Sequence, residues 1–196
     1  MSVHPGLLFV ISGPSGVGKD ALATALLQRD TGLRYSVSYT TRPRRDYEVN
    51  GVHYHFVSRD VFEAMAAEDR FLEFAEYNGN LYGTLRAFVE DSQRQGLDVI
   101  LKIEVKGAEH VRKRRPDAIS IFIAPPSLET LIERRHERGD AESRLSAEDR
   151  QRIAEGELAE AGKYDHVVVN DDFEHAVREL QRIIGAERAK RFEAQV

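Results

Sequence analysis

The sequence predicts an α/β fold: a mostly parallel sheet with helices on both faces. Three observations carry that expectation. Short apolar runs at 7–12, 99–103, 119–123 and 167–169 have the length and continuity of strands buried on both sides. Segments with apolar residues at helical spacing lie between them. A Gly-rich stretch from Gly13 to Gly18 sits where the first strand gives way to the first helix. Strands alternating with helices are the pattern of a parallel sheet, because each parallel pair needs a crossover.

The elements follow in order. The strand at 7–12 enters the Gly-rich loop, and Leu22, Ala25, Leu26 and Arg29 mark the helix after it. Ser58 is placed to cap a helix carrying Val61, Phe62 and Met65 on one face. Residues 71–77 read as a strand, and Asn78-Gly79-Asn80 reads as a turn. Thr84 is expected to cap the next helix, with Leu85, Phe88 and Val89 inward. Pro125-Pro126-Ser127 breaks the chain, and Ser127 caps a helix through Leu128 and Leu131. Ser146-Ala147-Glu148-Asp149 starts another. Phe173, Ala176, Val177, Leu180, Ile183 and Ile184 form the apolar stripe of a C-terminal helix.

Composition limits the function classes. The chain has 196 residues, 41% hydrophobic and 31% charged, which fits one soluble globular domain. A net charge of −5 argues against general nucleic-acid binding, which needs surplus Lys and Arg. Cysteine is absent, so neither a disulfide nor a thiolate metal site forms. The apolar run at 7–12 is too short for a membrane span or a signal-peptide core. A cytoplasmic protein without membrane partners is the expectation.

Gly13-Pro14-Ser15-Gly16-Val17-Gly18-Lys19-Asp20 nearly matches the phosphate-loop pattern G-x-x-x-x-G-K-[ST]. Glycines let the backbone curl so that several N–H groups point at phosphate oxygens. The following helix adds the positive end of its dipole, and Lys19 supplies a mobile charge. The pattern predicts that these eight residues bind ATP. A Gly-rich turn without a ligand would not require the order strand, loop, Lys, helix. Position 20 departs from the pattern. Asp20 is a hard oxygen ligand suited to Mg2+, but it also brings negative charge near the phosphates.

Arg42, Arg44 and Arg45 stand within four positions. Taken alone, they are either a forked receptor for an anion or a solvated basic turn. Likewise Tyr54 and Tyr82 taken alone could be core. Around them lie T-T-R-P-x-R (40–45), E-V-x-G-x-x-Y (48–54), F-L-E (71–73), G-N-x-Y-G-T (79–84) and V-N-D-D (169–172). With the phosphate loop, these segments resemble the guanylate kinase family in order and spacing over nearly the whole chain.

The resemblance implies a P-loop kinase core (1–35, 87–125 and 160–196), a small GMP-binding insert (36–86) and a helical lid (126–159) within a single domain, 1–196. It implies transfer of the γ-phosphoryl group of ATP to GMP with Mg2+, by a monomer or homodimer. Lys19, Arg42, Arg134, Arg138 and Arg150 are the implied catalytic residues. Ser38, Arg42, Arg45, Tyr54, Glu73, Tyr82, Gly83, Thr84 and Glu104 are the implied GMP ligands, and Asp20 the metal ligand. Glu73 suits guanine, whose N1–H and 2-amino group both donate, whereas adenine lacks that pair. Arg152 competes with Arg150 for the third lid position. The insert and lid are expected to close over the substrates and exclude water.

The chain also departs from the family. Lys102 stands where an acid is usual, Glu104 keeps a carboxylate, Lys106 replaces a Gln, and Asp46-Tyr47 replaces a pair of small residues. These changes leave three alternatives to weigh. The first is a kinase of another acceptor, such as a ribose 1,5-bisphosphate phosphokinase, which shares the Gly-Lys-Asp ending. The others are a phosphopeptide-holding module and a catalytically impaired ATP binder.

Overall fold

The computed structural model describes residues 4–137 and 146–193. Its five-stranded sheet has the order β2-β7-β1-β8-β9, with β1 at Leu8–Ser12, β2 at Leu33–Tyr35, β7 at Asp98–Lys102, β8 at Ile119–Ala124 and β9 at His166–Val169. The pairs β2·β7 and β8·β9 are parallel. A second sheet has the order β4-β3-β6-β5, from β3 (Tyr39–Thr40), β4 (His55–Phe56), β5 (Phe71–Tyr77) and β6 (Asn80–Leu85). The helices are α1 (Lys19–Arg29), α2 (Arg59–Ala67), α3 (Arg86–Arg94), α4 (Val105–Arg114), α5 (Leu128–Glu137), α6 (Ala147–Ala159) and α7 (Phe173–Glu193). This is the expected α/β class with a parallel central sheet.

The chain divides into two compact units. The first comprises residues 1–10 and 32–119. Its small sheet is organised by a hairpin: Asn78 and Gly79 both have positive φ (51° and 76°), the geometry of a two-residue turn matched to strand twist. Phe62 of α2 stacks on Phe71 of β5 at 4.4 Å, and Met65 and Leu81 complete the cluster. Each buried phenylalanine contributes about 2–3 kcal/mol. Gly83 is required there, since a Cβ would lie 2.9 Å from both rings.

The second unit comprises residues 11–31 and 120–196. Here β8 is buried through Ile121, Phe122 and Ile123, while β9, at the sheet's edge, exposes Val167 and Val169 and buries Val168. The edge strand thus alternates where the sequence suggested a strand covered on both faces. Helix α7 buries Ala176, Val177, Leu180, Ile183 and Ile184, as its stripe predicts.

Ser58 and Ser127 cap their helices as expected, accepting from the N–H groups of Val61 and Thr130, and Ser146, at the expected helix start, likewise accepts from the Asp149 N–H. Thr84 does not cap α3. It lies inside β6, and Leu85 occupies the cap position. Val61 and Phe88 face outward, at 48% and 36% exposure, and Phe173 is also exposed. Strands β2, β3, β4 and β6 and helix α4 escaped the sequence reading. The strands are short or polar, and the apolar residues of α4 are diluted by Lys, Glu, His and Arg.

Candidate active site

In the second unit, the end of β1 runs into the loop at Gly13–Gly18 and then into α1. Gly13 has φ 142°, and a Cβ there would lie 2.3 Å from the carbonyl oxygen of Ile123. Gly18 has φ 99° and occupies the N-cap of α1. Having no side chain, it leaves the first N–H groups of the helix to a ligand. Lys19 is only 7% exposed, and its Nζ donates to the carbonyls of Gly13 (2.6 Å) and Pro14 (3.0 Å). The ammonium therefore lies over the curled backbone.

Asn170 at the end of β9 braces this loop. Its Nδ2 donates to the Val17 carbonyl at 2.8 Å, and its own carbonyl accepts from Arg134 Nη1 at 3.2 Å. The pair of bonds ties Arg134 of α5 to the phosphate loop through one buried residue, by its main-chain carbonyl on one side and its side-chain amide on the other. The V-N-D-D segment was the only sequence signal for Asn170. Arg138 lies outside the described residues. Arg150 belongs to α6, and Arg152 pairs with Asp149 along that helix at 3.4 Å.

Asp20 is exposed in the first turn of α1. Among the described residues no three His, Asp or Glu side chains cluster to hold a metal. A single carboxylate ligand beside a phosphate loop suits Mg2+, which keeps several waters and takes other ligands from substrate phosphates.

In the first unit a cationic cluster surrounds Glu48. Arg42 Nη2 donates to Glu48 Oε1 at 2.5 Å, the Arg45 N–H donates to Oε2 at 2.8 Å, and Arg44 Nη1 donates to the Glu48 carbonyl at 2.6 Å. Burial alone would push the Glu48 carboxyl up, but the hydrogen bonds from Arg42 and the Arg45 backbone hold it below the usual range. Glu48 thus orders the basic turn from a position 4% exposed, a role the spacing did not reveal. Arg45 Nη1 also donates to the Tyr47 hydroxyl at 2.8 Å. The Arg42 guanidinium lies 5.5 Å from the Tyr54 ring centre, and the Tyr54 and Tyr82 rings meet edge to face at 5.9 Å.

Glu73 and Thr84 face each other across the hairpin, and both are buried. A bulge between Phe71 and Glu73 breaks strict alternation, so Phe71, Leu72 and Glu73 are all buried. Thr84 Oγ1 donates to Glu73 Oε1 at 2.7 Å. Burial pushes the carboxyl up to about 7, opposed by hydrogen bonds from the Thr84 hydroxyl and backbone. Ser38 is buried in the same unit, and Glu104 stands at the N-cap position of α4.

A family model described as guanylate kinase matches residues 6–187. The chain belongs to the guanylate kinase family. It is 49% identical over 187 residues to a guanylate kinase of Symbiobacterium thermophilum, covering 94% of this chain and 87% of that one. It is 46% identical over 197 residues to a guanylate kinase of Hahella chejuensis, covering 97% and 94%. Among solved structures, the guanylate kinase from Anaplasma phagocytophilum superposes with a TM-score of 0.79 at 33% identity, covering 95% of this chain and 88% of that one. A gluconokinase from Sinorhizobium meliloti shares the fold alone, at TM-score 0.50 and 17% identity. No helix among the described residues is long and apolar enough to cross a membrane.

Proposed function

We infer that the protein is an enzyme that phosphorylates GMP at the expense of ATP. The observation that carries this reading is family membership over residues 6–187 together with an intact Lys19 phosphate loop. A phosphopeptide-holding module would have no use for that loop. The acceptor segments stand against a ribose 1,5-bisphosphate phosphokinase.

In this reading the loop N–H groups and Lys19 hold the donor phosphates, and Lys19 offsets charge that develops on the transferred group. Arg42 and Arg45, ordered by Glu48, hold the acceptor phosphate with the hydroxyls of Tyr54 and Tyr82. The nucleophile is already an anionic phosphate oxygen, so no general base is needed. Glu73, Ser38, Thr84 and Glu104 read the base, and Gly83 shapes the strand beneath it. Arg134, Arg138 and Arg150 of the lid segment stabilise the transferring group. Mg2+, held on the protein side by Asp20, would supply further charge compensation at the β- and γ-phosphates. The insert at 36–86 and the lid at 126–159 serve a single catalytic domain acting as a cytoplasmic monomer or homodimer.

A coupled assay with GMP, dGMP, AMP, UMP and ribose 1,5-bisphosphate as acceptors tests the assignment. GMP is expected to have the highest kcat/KM. A higher value for ribose 1,5-bisphosphate, or no ADP formed with any acceptor, overturns it.

A further inference from the structure

Lys102, the last residue of β7, has a well-defined aromatic setting within the first unit. Its Nζ lies 5.6 Å from the ring centre of Tyr35 and 5.6 Å from that of Tyr54. Tyr35 belongs to β2, which pairs with β7 through Tyr35 and Ile100, so the sheet itself brings one ring beside the lysine. The second ring is shared. Tyr54 also has the Arg42 guanidinium 5.5 Å from its centre. Arg42 in turn forms an ion pair with Glu48 at 2.5 Å. Lys102 therefore adds a second cation at the tyrosine that already carries Arg42.

Two cationic side chains within cation–π distance of one ring raise the potential around its hydroxyl, Arg42 by less than its full charge because Glu48 offsets part of it. A neutral or apolar group at the Tyr54 hydroxyl would gain nothing from that field. A phosphate dianion would gain most, since the attraction scales with its charge. We propose that Lys102 is a specificity-determining residue of the acceptor site, which favours the doubly charged phosphate of a nucleoside monophosphate through the field at Tyr54. The proposal rests on the reading of Arg42, Arg45 and Tyr54 as acceptor-phosphate ligands. It makes Lys102 a contributor to phosphate affinity, with no part in reading the base.

The test uses the full chain with Lys102→Gln and Lys102→Arg, checked by thermal unfolding for retention of the fold. Calorimetry measures Kd for GMP and for guanosine, and steady-state kinetics measure KM for GMP and for ATP. For Lys102→Gln, Kd and KM for GMP are expected to rise about ten-fold, equivalent to about 1.4 kcal/mol. Guanosine affinity and KM for ATP should stay within about two-fold, and kcat should fall less than KM rises. Lys102→Arg should restore most of the GMP affinity. Equal losses for GMP and guanosine would make Lys102 a packing residue and overturn the proposal, as would unchanged GMP affinity or a loss confined to ATP. A wild-type protein that binds guanosine and GMP equally well would overturn the phosphate-site reading itself, and Lys102 with it.

Discussion

Thr84 Oγ1 donates to Glu73 Oε1 across the β5–β6 hairpin at 2.7 Å, and both side chains are at most 3% exposed. One partner of the carboxylate is thereby fixed, and burial raises its pKa from 4.5 to about 7. Between those two values the folded protein binds more protons than the unfolded chain, so stability falls as pH rises through that window. The Glu73→Gln variant, which cannot ionise, should become more stable relative to wild type between about pH 4 and about pH 8. The expected gain is on the order of 3 kcal/mol. Denaturant unfolding of both proteins across that range measures it, and a difference independent of pH counts against the raised pKa.

In the proposed reading, the same carboxyl must be ionised to accept from both guanine donors. GMP affinity should therefore increase as pH rises through about 7, with proton release on binding at lower pH. Calorimetry in buffers of different ionisation enthalpy would detect that release. Glu73→Gln should abolish it and narrow the preference for GMP over AMP.

Gly107 on α4 sits against this carboxylate: a Cβ at that position would lie 2.9 Å from Glu73 Oε2. Alanine favours the helix by roughly 1 kcal/mol over glycine, so Gly107→Ala should not unfold the protein. Its methyl group should displace the carboxylate and lower kcat/KM for GMP about ten-fold, an effect the size of a weakened hydrogen bond to a charged group. The KM for ATP should be unaffected. Steady-state kinetics with each substrate varied in turn decide the point.

Asn170→Ala removes the side chain that braces Val17. Leaving that buried carbonyl without its donor costs about 1–3 kcal/mol. We expect a lower Tm and a KM for ATP raised about ten-fold, with KM for GMP little changed. Unchanged ATP affinity would show that the loop holds its shape without Asn170.

Lys19→Ala should lower kcat by on the order of 10²–10³, because in the proposed mechanism the ammonium acts on the transferring group. Far-UV circular dichroism should still report the native helix content. Turnover at the wild-type rate would remove Lys19 from the mechanism.

Asp20→Ser should give an active enzyme with an altered dependence on Mg2+ concentration, since in the proposed reading it exchanges a charged metal ligand for a neutral hydroxyl. Parallel Mg2+ titrations of GMP-dependent ADP formation test this, with direct Mg2+·ATP binding by calorimetry as a second readout. Superimposable curves would leave Asp20 as an acid favoured by the helix dipole at the start of α1.

The phosphate loop, the buried strands and the three serine-capped helix starts were legible in the sequence because each depends on neighbours a few residues away. Gly13 and Gly18 answer a local backbone demand, and Ser58, Ser127 and Ser146 reach N–H groups three residues on. The guanylate kinase segments marked the proposed acceptor residues, but not what holds those buried in the small sheet. That was decided by contacts between residues distant in the chain or by strand register. A bulge turns Glu73 inward, the hairpin sets it against Thr84, and α4 brings Gly107 beside it. Asn170 reaches Val17 across 153 positions, and Lys102 meets Tyr35 and Tyr54 from a different strand. Local propensity cannot encode such pairs, because their geometry exists only once the sheets have formed. The outward turn of Val61 and Phe88 and the edge position of β9 have the same origin. Hydrophobic spacing marks which residues could be buried, and only the packed neighbours decide which of them are.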